Sequence, residues 1–278
     1  MQSRIIFTGM LLTQVFIAQS CSDRNDKKEI PMDDQVIRRE LSVLQHRRIF
    51  FGHQSVGANV VTGLKEILAW MPDIHLTMTT LAEAGFPSGP CFVDTYIGEN
   101  SKPKSKCDAF AVNVKALSDS LDIALMKFCY VDLTEGTDVQ DLFAYYRNTI
   151  AELELTCPGV TFVHVTVPLT RRGASWKILV KHVLGKEEYN DRANLKRAEF
   201  NRLLLEFYKD ETVFDLAAIE STFPDGRRNS FESEGRTGFS LIREYADDGD
   251  HLGVQGRQRA ARELIRALAA AGGRPRGK

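Results

Sequence analysis

Short apolar runs alternate with longer amphipathic stretches along most of this chain, in the periods of strands followed by helices. Residues 48–52 read as a strand, and 56–70 as a helix with Val60, Leu64, Ile67 and Leu68 on one face. Residues 74–79 alternate and suggest a second strand. A stretch rich in breakers follows over 81–106, with Gly85, Pro87, Gly89, Pro90, Gly98 and Pro103, and reads as loop. After a helix over 109–118, residues 122–129 form an apolar run interrupted only by Lys127, the pattern of a central parallel strand covered on both faces. A helix over 139–155, a strand over 160–167, a long helix over 192–208 and a short strand over 212–216 come next. An irregular stretch over 220–250 precedes a last helix over 254–270.

This alternation implies a parallel sheet with helices on both faces. The expected fold is α/β: a three-layer α/β/α sandwich with a mainly parallel central sheet, occupying 44–271. Such sheets hold their active sites at the carboxyl ends of the strands. Any chemistry should therefore follow strands directly.

The N-terminus breaks the pattern. Arg4 is followed by an uncharged apolar run from Ile5 to Ala18. It is shorter than the ~20 residues a spanning helix needs and ends in small residues, so 1–20 read as an export signal. The sequence Ala18-Gln19-Ser20-Cys21 suits a lipoprotein leader in which Cys21 is lipidated; simple signal cleavage is the alternative. Residues 21–43 are assigned to a polar tether, most strongly charged over 22–34. Arg274, Arg276 and Lys278 form a small basic tail over 272–278.

Composition narrows the functional classes. The 278 residues carry a formal net charge of −1 at pH 7, with Lys and Arg dispersed, which argues against a nucleic-acid partner. Membrane contact is expected through the lipid anchor alone. Of the 5 cysteines, four remain beside Cys21. Export permits disulfides, and Cys91 and Cys107, which bracket the loop-rich stretch, are the first candidates for a pair. Cys129, inside an apolar run, reads as a buried thiol. No Cys-x-x-Cys pair or tight His/Cys cluster points to a metal, and no cofactor is expected.

Two positions stand out for chemistry. Ser55 falls where the first strand turns into the first helix, beside helix N–H groups that favour developing negative charge. A serine there is also an ordinary helix cap. At the far end, Asp248 and His251 stand three apart across Gly249, just before the last helix. His251 could take the Ser55 proton, and Asp248 could fix the imidazole tautomer. A solvated acidic turn is the plainer alternative. His164 and the aromatic set Tyr145, Tyr146, Phe200, Phe207 and Tyr208 read as core packing.

The segment Ile49-Phe50-Phe51-Gly52-His53-Gln54-Ser55-Val56-Gly57 resembles the first sequence block of the SGNH/GDSL hydrolase superfamily. The segment Asp248-Gly249-Asp250-His251-Leu252 resembles its last. The resemblance spans the domain in order and spacing, though each motif is short. It implies a flavodoxin-like sheet, a Ser55 nucleophile, a His251 base and an Asp248 orienter. The reaction implied is cleavage of an ester, on a small molecule or an acylated carbohydrate, through an acyl-enzyme. The same triad would serve an acyltransferase, and a weakly catalytic carbohydrate-binding protein would keep the same fold.

The family's oxyanion hole joins the nucleophile's own N–H, a glycine N–H and an asparagine side chain. Gly98 is the candidate glycine, with Gly85 and Gly89 as rivals. The expected asparagine is missing after the strand over 122–129, so Asn100 is the candidate substitute. His53 and Gln54 replace the residues usual before the nucleophile, and both are candidate substrate contacts. Lys127 and Asp132 lie near the same edge; they either pair with each other or touch substrate.

Overall fold

The computed structural model describes residues 34–173, 189–247 and 249–273, all within one unit of the chain, Met32–Lys278. Six strands make one parallel sheet: β1 (Arg48–His53), β2 (Thr77–Thr80), β3 (Cys91–Tyr96), β4 (Ile123–Met126), β5 (Thr161–Val165) and β6 (Val213–Phe214). Their order is β2-β3-β1-β4-β5-β6. The described helices are α1 (Asp34–Leu44), α2 (Val56–Ala69), α3 (Leu81–Ala84), α4 (Pro103–Leu117), α5 (Val139–Thr156), α6 (Tyr189–Phe207), α7 (Leu216–Ser221) and α8 (Val254–Gly272). A hairpin, β7 (Ser230–Ser233) with β8 (Arg236–Phe239), stands apart from the sheet.

The alternation of β1 sorts the core into two layers. Ile49 and Phe51 join a cluster with Val60 and Leu64 of α2 and Leu264 and Leu268 of α8. Phe50 faces the other way, into a cluster with Phe110 of α4, Leu142 of α5 and Phe200 of α6. Successive strand residues point to opposite faces, so apolar residues at consecutive positions require cover on both sides. The architecture is the expected three-layer α/β/α sandwich.

Several expectations need correction. Residues 34–44 form a helix rather than tether, because Ile37, Leu41 and Leu44 fall on one face and are buried against the core. Within the supposed loop of 81–106 lies β3, which pairs with β1 along its whole length. Cys91 and Cys107 are free thiols. Cys91 opens β3 and Cys107 is a buried residue of α4; burial raises both thiols, Cys107 to about 12. Residues 1–20, read from the sequence as an export signal, Cys21 and the basic residues from 274 onward lie outside the described residues. Among those described, no helix is long and apolar enough to cross a membrane.

The order around β1 positions the site. The chain leaves β1 toward β2 and β3, then crosses to β4 on the other side. Loops after β1, β3 and β4 therefore meet at one carboxyl edge, where the winding direction reverses. Open α/β sheets bind ligands in such a crevice.

Candidate active site

Ser55 stands at that crevice, one residue before α2, with φ 48° and ψ −109°. A positive φ is unfavourable for a residue with a Cβ and is held here by the packed strand and helix on either side. Its hydroxyl makes no capping bond to α2. Instead Ser55 Oγ lies 2.5 Å from His251 Nε2. The plain helix-cap alternative for Ser55 is thus replaced by a contact across 196 positions of sequence.

Two packed helices enforce that contact. Ser55 precedes α2, and His251 precedes α8. At Gly63 a Cβ would come within 2.4 Å of the Arg257 carbonyl oxygen, so only glycine lets α2 and α8 approach this closely. Arg257 Nε donates to Glu66 Oε1 at 3.0 Å across the same helix pair. Nearer the site, the Leu252 amide donates to Asn59 Oδ1 at 3.3 Å. The turn before α8 is closed by the Asp247 amide, which donates to the His251 carbonyl at 2.9 Å. Asp250 Oδ1 accepts from the Arg171 amide at 2.7 Å and ties the turn to the loop after β5. Asp248 lies outside the described residues.

Gly98 follows β3 on the same edge as Ser55, whereas its rivals Gly85 and Gly89 precede that strand. Its φ is 54°, and a Cβ would come within 2.6 Å of the Lys106 amide nitrogen. Glycine is required there by both conformation and space. Gln54 Nε2 donates to the carbonyls of Ile97 and Gly98, at 3.2 and 3.1 Å, and clips this loop to the turn that carries Ser55. Its amide is committed to the backbone rather than offered to a substrate.

The other candidate contacts are enclosed. His53 is fully buried, its Nε2 3.0 Å from Asp94 Oδ2. Burial drives the His53 pKa below its ordinary value, more than Asp94 raises it, so the ring is neutral and donates to the Asp94 carboxyl group. Asp132 does not pair with Lys127 by hydrogen bond. Its carboxylate accepts from Lys106 Nζ at 2.5 Å, the Ser101 amide at 2.9 Å and the Cys129 amide at 2.6 Å. Lys106 also donates to Asn100 Oδ1 at 2.9 Å. This buried ion pair holds together the loops after β3 and β4, including Ser101 with its φ of 64°. Asn100 itself is exposed, with its side-chain oxygen committed to Lys106.

Lys127, also buried, donates to the Phe128 carbonyl at 3.0 Å. Desolvation brings its pKa down to about 8. Glu220, buried nearby, is pushed up to about 8 by the same cause while accepting from the Leu169 amide at 2.7 Å. His53, Lys127 and Asp132 thus support the site from behind and are closed to a ligand at the crevice. Among the described residues no group of three or more His, Cys, Asp or Glu side chains is arranged to hold a metal.

Sequence reasoning missed one residue. Tyr130 follows β4 at the same edge. Its ring stands edge-on to His251, centroids 6.1 Å apart. The signal available in the sequence was its place just past the central strand. Of the aromatic residues expected in the core, Tyr146, Phe200 and Tyr208 are buried, whereas Tyr145 is half-buried and Phe207, near the end of α6, is exposed.

No family model matches the chain, and no curated protein matches it. Solved structures with a similar chain path do exist. The periplasmic domain of a lipopolysaccharide acetyltransferase from Salmonella ser. Paratyphi A is 10% identical, with 85% of this chain and 89% of that one covered, at a TM-score of 0.48. A protein described as a GDSL-like lipase from Parabacteroides merdae is 16% identical, covering 80% of this chain and 95% of that one, at 0.45. One described as a lipolytic protein of the G-D-S-L family from Desulfitobacterium hafniense is 10% identical, covering 80% and 99%, at 0.42.

Proposed function

We propose that this chain is an exported serine esterase or deacylase that forms an acyl-enzyme on Ser55 and releases it to water. The observation that carries this reading is the 2.5 Å approach of Ser55 Oγ to His251 Nε2 at the carboxyl edge of β1. Nucleophile and base within hydrogen-bond reach are the first requirement of acyl transfer through serine. His251 takes the hydroxyl proton as Ser55 attacks the ester carbonyl, then returns it to the departing alkoxide. Water repeats the cycle in place of the alcohol. In this reading Asp248 orients the imidazole, and the Ser55 and Gly98 amides face the developing oxyanion. Neither amide donates to another group among the described residues.

The apolar run from Ile5 to Ala18 and the cysteine at position 21 support export and lipid anchoring. An acylated carbohydrate outside the cytoplasm fits an enzyme so placed. Purified protein is expected to release acid from 4-nitrophenyl acetate and from acetylated oligosaccharides. Inertness toward acetyl through octanoyl esters, together with glycan binding, would replace the reading with a carbohydrate-binding role. Replacing Cys21 with alanine is expected to move the protein from the membrane to the soluble fraction; a wild type already soluble would contradict anchoring.

A further inference from the structure

We propose that Tyr96 is a stacking platform for the sugar of an acylated carbohydrate and so sets the substrate preference of the Ser55 site; this rests on Ser55 being the nucleophile. Among the described residues Tyr96 carries the most exposed Phe, Tyr or Trp ring, at 66% exposure. It is the last residue of β3, at the carboxyl edge where the loops of the site meet. The acyl-transfer steps leave this ring without a task.

Hydrogen bonds place Tyr96 beside the Ser55 turn. It pairs in register with His53 of β1. Just past that pair the Ile97 amide donates to the His53 carbonyl at 3.1 Å, and the Gln54 side chain holds the Ile97 and Gly98 carbonyls. Ser55 lies two residues beyond His53, so strand spacing and chain reach put the Tyr96 and Ser55 backbones within about 12 Å. An ester and the sugar ring next to it span that reach. The phenol ring packs at 83° to the His53 imidazole, centroids 5.4 Å apart. His53 is itself held by Asp94 and by α2, where a Cβ at Gly57 would collide with it. The platform therefore stands on a rigid base, and little freedom is lost when a ligand covers it.

The surroundings select the ligand class. A long acyl chain needs continuous apolar surface to leave water. Tyr96 offers a single ring, followed by the exposed polar residues Glu99, Asn100 and Ser101. A pyranose matches that mixture: its C–H face lies on the negative π face of the ring, while its hydroxyls stay among polar groups and water. Tyrosine suits the role because it presents a large rigid face at low cost in conformational entropy. A ring that served only to cover the His53–Asp94 pair would act through the geometry of Ser55, and so on every ester alike.

Acid release in a pH-stat separates the two roles by comparing a panel of acetylated xylo- and cello-oligosaccharides with vinyl acetate, an activated ester that has no ring to stack. Tyr96→Ala is expected to raise KM for the oligosaccharides about tenfold with kcat retained, the signature of a lost binding contact worth one aromatic pair. Its rate on vinyl acetate should fall less than about twofold, well short of that loss. Tyr96→Phe keeps the flat face and should keep the KM of the wild type. Tyr96→Leu covers His53 without a flat face and should behave as Tyr96→Ala does. Equal loss on vinyl acetate and the oligosaccharides, or no loss on either, would overturn the platform while leaving Ser55 in its role. So would a wild type that hydrolyses vinyl acetate but none of the oligosaccharides. A wild type inert toward every ester would overturn the esterase reading and the platform with it.

Discussion

Replacing Ser55 with alanine is expected to lower hydrolysis of an activated short-chain ester by about 10⁴-fold or more, as removal of a serine nucleophile does in enzymes built on such triads. Alanine removes the oxygen and leaves the backbone at φ 48° as strained as before. Glycine at the same position provides a second readout. It removes the nucleophile equally but adopts positive φ at no steric cost, so Ser55→Gly should be inactive and more stable by about 1 kcal/mol. Activity and stability then move in opposite directions, as expected where strain is kept for function. Denaturant unfolding alongside the ester assay measures both. Retained activity in either variant would contradict the role given to Ser55.

Lys106→Met is expected to be the most destabilising single change near the site. Removing the ammonium leaves the Asp132 carboxylate buried without its charge partner, and breaking such a pair costs about 3–5 kcal/mol. The two side chains lie 2.5 Å apart and are completely enclosed. Replacing both partners with apolar residues, as in Lys106→Met with Asp132→Leu, removes the uncompensated charge and should recover much of the stability. It would not recover activity, because the bonds from Asp132 to Ser101 and Cys129 that shape the two loops would be gone. Urea unfolding of the single and double variants tests the point; a single variant as stable as the wild type would refute the account of the pair.

Much of the sheet was legible because its strands are short apolar runs bounded by turns. β1, β4 and β5 were all placed by pattern, and Ser55 and His251 were placed relative to them. β3 was hidden because Asp94 interrupts its apolar run and breakers crowd around it. Asp94 is tolerated inside the sheet because His53, on the neighbouring strand, takes its hydrogen bond. That pairing joins residues 41 apart and leaves no local trace. α1 was hidden differently: charged residues surround Ile37, Leu41 and Leu44, whose helical spacing was the available signal.

The site divides along the same line. Ser55 and His251 were readable because each is fixed by its position at a strand or helix end. Partner choice was not. Lys127 and Asp132 are close in sequence, yet the carboxylate goes to Lys106 of α4 because the fold brings that helix's first turn against the β4 loop.

Mass spectrometry of the protein after reaction with a fluorophosphonate tests the central claim most directly. One adduct per chain, on the peptide that contains Ser55 and absent from Ser55→Ala, is the result expected of a serine activated by His251. An unmodified Ser55 peptide, or an adduct on another residue, would contradict it.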